Sequence, residues 1–198
     1  IPEIVCVRKT GAVYANETFF SEAESAPRRL LTRCLRERGH NIQSITDKLN
    51  FNSPAKIRTI WPNNEIPQTN DFTENDKSLV SLIEFANVNI LLCSDIEQLA
   101  QRSLLQTYPD LKADIVILPH HGSDVTLDPA FAEKLHAKIL ISSCGPRSYT
   151  SKIIQNQNDA TQHFSTAKDG AITCSINKKG KIKIQTYATS RYVEISPR

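Results

Sequence analysis

The chain contains no methionine, so Ile1 is not a translational start, and a fragment or a processed form is expected. No charged leader precedes an apolar block at the N-terminus, so no signal peptide is expected there. No uninterrupted apolar run approaches the roughly 20 residues that span a bilayer. The five cysteines, Cys6, Cys34, Cys93, Cys144 and Cys174, are odd in number and never form a C-x-x-C pair. Four of them sit in apolar runs that read as buried. That pattern speaks for small core residues and against a disulfide framework or a zinc knuckle. Net charge is only +3, too little to argue for a nucleic-acid partner by itself. There is no internal repeat.

What is present is ordinary in amount and informative in placement. The 198 residues, 39% hydrophobic and 23% charged, suffice for one good core, so a single domain over residues 1–198 is expected. Positive charge is clustered: Arg28, Arg29, Arg33, Arg36 and Arg38 crowd one segment, and Lys178, Lys179, Lys181 and Lys183 another. Such runs are most often solvated faces; the sharper alternative is a surface that meets phosphate.

Strand and helix signals alternate. Ile4 to Val7 reads as a short strand. Ser25 is placed as an N-cap with Pro27 in the first turn of a helix carrying Leu30, Leu31, Cys34 and Leu35 on one face, and Gly39 ends it. Residues 57–61 alternate like a half-buried strand that Pro62 stops, and 63–75 reads as a surface loop. Strands at 79–85 and 88–93 flank an Ala86-Asn87 turn, and 96–106 has helical periodicity. Asp114 to Leu118 is continuously apolar, so it should be covered on both faces. Asp128 caps a helix with Pro129 at its first position, and Ile139 to Ser142 is another buried strand. Residues 171–176 and 181–187 form a hairpin around Asn177 to Gly180. Hairpins mixed with strand–helix–strand units predict layered α and β structure around a mixed sheet.

The chemistry concentrates between residues 90 and 123. One apolar strand ends in Asp95, and the next ends in the pair His120–His121 followed by Gly122. The intervening helix lets the two strands lie side by side, which brings carboxylate and imidazole to one edge of the sheet. Adjacent histidines point in different directions, so one can act as ligand while the other supports it or meets substrate. Gly122 permits close approach behind the imidazole, and Ser123 offers a hydroxyl to cap or orient it. His40 lies beyond a helix end, His136 on a helix and His163 near another; all three read as surface or core-edge residues, with His163 the least improbable extra ligand.

At these residues the sequence resembles the metallo-β-lactamase superfamily, and within it the C-terminal hydrolase-like domain of ComEC-type DNA-uptake competence proteins. The resemblance rests on Asn75-Asp76-Lys77-Ser78-Leu79-Val80, on Leu92-Cys93-Ser94-Asp95-Ile96-Glu97 and on Pro119-His120-His121-Gly122-Ser123, in that order. Asp169-Gly170-Ala171-Ile172 fits a late strand of the family. The resemblance implies an αββα sandwich holding one or two zinc or manganese ions along one edge. It makes Asp95 the bridging carboxylate and His121 the imidazole ligand, with His120 the second choice. The implied chemistry is hydrolysis of a DNA phosphodiester by a metal-activated water. Ser123 and the arginines Arg28, Arg29, Arg33 and Arg36 are the candidate substrate contacts.

The family's H-x-H-x-D-H cluster does not occur here, and it is expected upstream of Ile1. Cys93-Ser94 replaces the usual Thr-Gly before the acid, and no Gly-His-Pro follows near Tyr149. With so few ligands, the chain alone is expected to bind metal poorly and to show little hydrolysis. Two other functions compete with a DNA hydrolase: a degenerate, non-catalytic binding module, and a metallohydrolase acting on small molecules. The resemblance implies a transmembrane channel portion elsewhere in the same protein. It places this domain on the outer face of a bacterial membrane, with a cytoplasmic position as the alternative.

Overall fold

A computed structural model describes residues 12–16, 19–20, 26–45, 53–62, 71–146 and 161–196. The expected strand at 4–7, the Ser25 cap, Cys6, most of the 63–75 loop and Tyr149 lie outside the described residues. The chain divides into two compact units, Ile1–Lys48 and Leu49–Arg198.

In the first unit, β1 (Val13–Ala15) pairs in parallel with β2 (Ile42–Ser44). Parallel partners need a crossover, and α1 (Ala26–Arg36) lies between them in sequence. Of its predicted apolar face, Leu35 is fully buried, Leu31 and Cys34 are partly so, and Leu30 remains 46% exposed. Gly39 ends the helix as expected, at φ 74°. The Gly39 N–H donates to the Arg36 carbonyl and the His40 N–H to the Leu35 carbonyl, a Schellman closure that needs a left-handed residue there.

The second unit is built on a six-stranded sheet in the order β3 (Lys56–Trp61), β4 (Val80–Phe85), β5 (Val88–Leu92), β6 (Ile115–Ile117), β7 (Ile139–Ser142), β8 (Gln162–Ser165). The first three strands are antiparallel and the last four parallel, so the sheet is mixed. Ala86 and Asn87 form the β4–β5 turn with φ 50° and 61°, the two positive values of a type I′ hairpin. Helix α2 (Gln98–Thr107) carries the chain from β5 to β6, and α3 (Pro129–Lys134) carries it from β6 to β7. The Asp128 carboxylate accepts from the Ala130 N–H, so the predicted cap is present.

Alternation along the parallel strands splits the core in two. Leu91, Val116 and Leu140 pack with Ala100, Leu104, Phe131 and Leu135 of the helical layer. Val88, Ile115, Ile139, Ile141 and Phe164 face the other way, onto Ile182 and Ile184. Those two belong to β10 (Ile182–Thr186), the centre of a three-stranded antiparallel sheet with β9 (Ile172–Ile176) and β11 (Tyr192–Ile195). A short helix, α4 (Thr166–Asp169), leads into it. The layers of this unit are therefore helix, sheet, sheet. This bears out a mixed α/β architecture and the coverage expected on both faces of residues 114–118.

Several elements differ from the sequence reading. Strands β1, β2, β8 and β11 are absent from it, because each is short and only Phe164 among their residues carries a large, fully buried side chain. His163 lies within β8, and His136 falls in the exposed turn after α3. The cysteines are less buried than their apolar neighbours suggest: Cys93 is buried, Cys34 and Cys144 are partly so, and Cys174 is exposed, all four as free thiols. Cys174 shares its face of β9 with Ile172 and Ile176, yet it is exposed where they are partly buried.

A candidate acid–imidazole site at the strand ends

The register of β5 on β6 pairs Leu92 with Ile117, so the two chains leave the sheet together at its carboxyl edge, the usual site position in parallel α/β sheets. Past the strands the loops stay knitted. The Cys93 N–H donates to the Ile117 carbonyl at 3.3 Å and the His120 N–H to the Ser94 carbonyl at 2.9 Å. Burial pushes the Cys93 thiol well up, so Cys93 is packing material and not a nucleophile.

Two acid–imidazole pairs result. His121 Nε2 lies 3.9 Å from Asp95 Oδ1, with both side chains open to solvent. His120 Nδ1 lies 3.7 Å from Glu97 Oε1, and Asn75 Nδ2 donates to that same Glu97 oxygen at 2.9 Å. The two rings stand at 76° with centroids 6.3 Å apart, which is the divergence expected of adjacent histidines. It requires an unusual backbone. His120, His121 and Gly122 follow one another at φ 44°, 62° and 80°. Non-glycine residues in this region cost roughly 1–2 kcal/mol each, a strain that persists only where surroundings over-determine it. Ser94 sits at φ 50° as well, where the resembling family has glycine. Its hydroxyl donates to the Leu79 carbonyl at 2.7 Å, which holds the residue in the conformation glycine would adopt freely.

The over-determination comes from Asp76, quoted in a motif but given no role by the sequence reading, and from Gln101, which that reading did not single out. Asp76 is buried. Its Oδ1 accepts from the N–H groups of Glu97 at 2.9 Å and Ala100 at 3.3 Å, so it caps α2 from a different segment and lets its charge face the positive helix end. Its Oδ2 accepts from the Thr73 N–H and hydroxyl. Gln101, fully buried, donates to the carbonyls of Ile96 and Thr126 and accepts from the Asp128 N–H. It ties the acid-bearing loop to the loop after the histidines. The D-x-E spacing of Asp95 and Glu97, read against H-H, was the available signal for two pairs.

The other predicted residues fall elsewhere. The Ser123 hydroxyl accepts from the Val125 N–H at 3.4 Å, and its carbonyl accepts from Leu127; it shapes the following turn. Arg28, Arg29, Arg33 and Arg36 lie on α1 in the first unit, separate from the unit that holds Asp95 and His121. Lys181 and Lys183 both pair with Glu194, which they and the Tyr192 hydroxyl hold down at about 2, so that lysine cluster is partly neutralised. His163 Nε2 meets the Ser142 hydroxyl at 3.0 Å. Burial lowers its pKa to about 4, assisted by Arg191 and Lys168 against the pull of Asp169.

A structural zinc site takes about four ligands and a catalytic one three plus water. Among the described residues no group of three or more His, Cys, Asp or Glu side chains could hold a metal ion. The two pairs therefore do not by themselves fit a zinc or manganese centre. What they can do unaided is hold and move a proton: an acid lies within 4 Å of each imidazole, with His120 Nδ1 buried and without a hydrogen-bond partner of its own.

No family model matches the chain. Over 73 residues it is 30% identical to the ComE operon protein 3 of Bacillus subtilis; the match covers 37% of this chain and 9% of that protein's length. Among solved structures it is similar to the metallo-β-lactamase fold protein YhfI of Bacillus subtilis, at 16% identity and a TM-score of 0.36, covering 72% of this chain and 61% of that one. Among the described residues no helix is long and apolar enough to cross a membrane. Over the 73 matched residues the chain resembles part of a competence-operon protein, as expected from the sequence, and its second unit has mixed α/β, helix–sheet–sheet layering.

Proposed function

We propose that this chain is part of a hydrolase-like domain acting on DNA phosphodiester bonds during DNA uptake. The observation that carries the reading is the Asp95–His121 pair at the carboxyl ends of adjacent parallel strands, in a chain similar to a competence-operon protein. His121 is 62% exposed in its side chain, open enough to take a proton from water or give one to a leaving oxygen. General acid–base catalysis of this kind contributes about 10²–10⁴-fold. Asp95 places a carboxylate 3.9 Å from the ring's Nε2. The domain in its working form would hold zinc or manganese through ligands beyond the described residues. In this reading the domain sits on the outer face of a bacterial membrane, joined to a transmembrane portion of the same protein.

The test is cleavage of linear DNA by the full-length protein, with and without a chelator, beside Asp95→Asn. Loss of cleavage by at least about 100-fold in the variant is expected. Undiminished cleavage by Asp95→Asn refutes the role of the acid, and turnover of small esters with no action on DNA refutes the substrate class. The shortage of clustered ligands among the described residues favours one competing reading, a non-catalytic DNA-binding module, which predicts retained DNA binding with no cleavage under any metal.

A further inference from the structure

The Schellman closure at Gly39 folds the chain back so that His40 to Ile42 run beside the helix they have just left. Arg28, Thr32 and Arg36 stand at four-residue intervals, one stripe of α1. Between that stripe, His40 and the aromatic pair Phe19–Phe20 lies a cleft of about 340 Å³, within the ~300–1,000 Å³ range of small-ligand sites. Its two ends differ in chemistry. The Arg28 guanidinium lies over the Phe19 ring at 4.5 Å from the centroid, a cation–π contact that holds a positive charge at this end of the cleft. Phe20 meets Phe19 edge-on at 5.4 Å and is itself 43% exposed, an aromatic face presented to solvent beside a basic wall. Elsewhere on the helix the pattern is that of an ordinary solvated surface: Arg33 pairs with Glu37, both well exposed.

We propose that this cleft in the first unit holds one nucleotide of a single-stranded nucleic acid, with the phosphate against Arg28, Arg36 and His40 and the base stacked on Phe20. Guanidinium groups and an imidazole suit a phosphate, an exposed ring suits any base, and the combination is the usual one for sequence-tolerant single-strand binding. The ligand class rests on the proposed action on DNA; the site itself is independent of Asp95 and His121.

The experiment is fluorescence anisotropy of a labelled single-stranded thymidine 12-mer with the 198-residue chain at several salt concentrations, against Phe20→Ala, Arg36→Gln and Arg33→Gln. Arg36→Gln should weaken binding about 5–10-fold and reduce the slope of log K against log salt by about 1. Phe20→Ala should weaken binding by about 5–10-fold or more with the slope unchanged. Arg33→Gln should stay within about 2-fold. A duplex of the same length, whose bases are already stacked, should show no Phe20 effect. Absence of single-strand binding, indifference to Phe20→Ala, or equal losses for Arg33→Gln and Arg36→Gln would overturn the cleft. Failure of the hydrolase reading would appear only as absent cleavage, and failure of the cleft only in the binding series.

Discussion

Asp76 is the residue on which the candidate site hangs, and its replacement has a magnitude that the contacts determine. Its carboxylate accepts four hydrogen bonds, from the N–H groups of Glu97, Ala100 and Thr73 and from the Thr73 hydroxyl, at 2.9–3.3 Å. Asp76→Ala removes all four and leaves the Glu97 and Ala100 amides, in the first turn of α2, without an acceptor. Loss of a helix cap costs about 0.5–2 kcal/mol, and stranding a buried donor about 1–3 kcal/mol. Allowing for partial rehydration, the sum is about 3 kcal/mol, a large share of the 5–15 kcal/mol typical of a domain. Asp76→Asn separates charge from shape. Its amide oxygen can still accept from the two helix amides, but its NH₂ then opposes the Thr73 N–H, for a cost of about 1–2 kcal/mol. The assay is urea denaturation followed by the fluorescence of Trp61, whose indole N–H donates to the Asp76 carbonyl. The order wild type, Asn, Ala is expected. If Ala lies within about 0.5 kcal/mol of wild type, the carboxylate does not organise the loop that carries Asp95 and Glu97, and the account of the site's bracing fails.

Other consequences are more local. Because His163 has a folded pKa near 4, below the ~6.5 of a free imidazole, protonation favours the unfolded chain. Its contribution is therefore complete above about pH 6.5 and lost as pH falls towards 4, by up to roughly 3 kcal/mol. His163→Gln should flatten the stability profile between pH 6.5 and 4.5, and an unchanged slope in urea titrations would refute this. Ala86 lies at φ 50°, so Ala86→Gly should raise the denaturation midpoint by about 0.5 kcal/mol, the relief of left-handed strain less the entropy glycine adds to the unfolded chain; a lowered midpoint contradicts the turn assignment. Ser94→Ala loses the bond to Leu79 and keeps the strain at φ 50°, whereas Ser94→Gly loses both. Thermal melts should place Gly near wild type and Ala below it by about 1 kcal/mol, and the reverse order would show that the hydroxyl, not the backbone, decides this position.

The strands legible in the sequence are those whose hydrophobicity is continuous or cleanly bounded. Ile139 to Ser142 is buried at every position, and the Ala86-Asn87 turn separates two apolar runs, so both read directly. Gln162 to Ser165 does not, because an edge strand with a polar histidine and a single large core residue has no periodic signal. Burial of cysteines was over-read as well: Cys174 lies on the same face of β9 as Ile172 and Ile176 and is exposed all the same, so an apolar neighbourhood in sequence does not by itself decide burial. The site was legible as residue types at strand ends. Its bracing was not, since Asp76 and Gln101 act through contacts 21 to 27 residues away in sequence, which no local pattern encodes.

The pairing of each histidine with its own acid follows from that bracing. With successive residues held at φ 44° and 62°, the two rings cannot share one carboxylate, and their planes diverge by 76°. Asp95, half-exposed, then lies beside the more exposed ring, while Glu97, tied down by Asn75, lies beside the ring that is one-third exposed. An imidazole that must accept and release protons needs a solvent path and a nearby charge, which Asp95 and His121 provide. His120 Nδ1 is buried without a hydrogen-bond partner, with Glu97 Oε1 3.7 Å away. Exchanging the acids in Asp95→Glu/Glu97→Asp would lengthen the reach of the outer one and shorten that of the inner one, breaking the close approach at His120 while leaving net charge unchanged. Equal ring order for both histidines in that double variant, measured by NMR relaxation, would show that the division of roles does not depend on the acids.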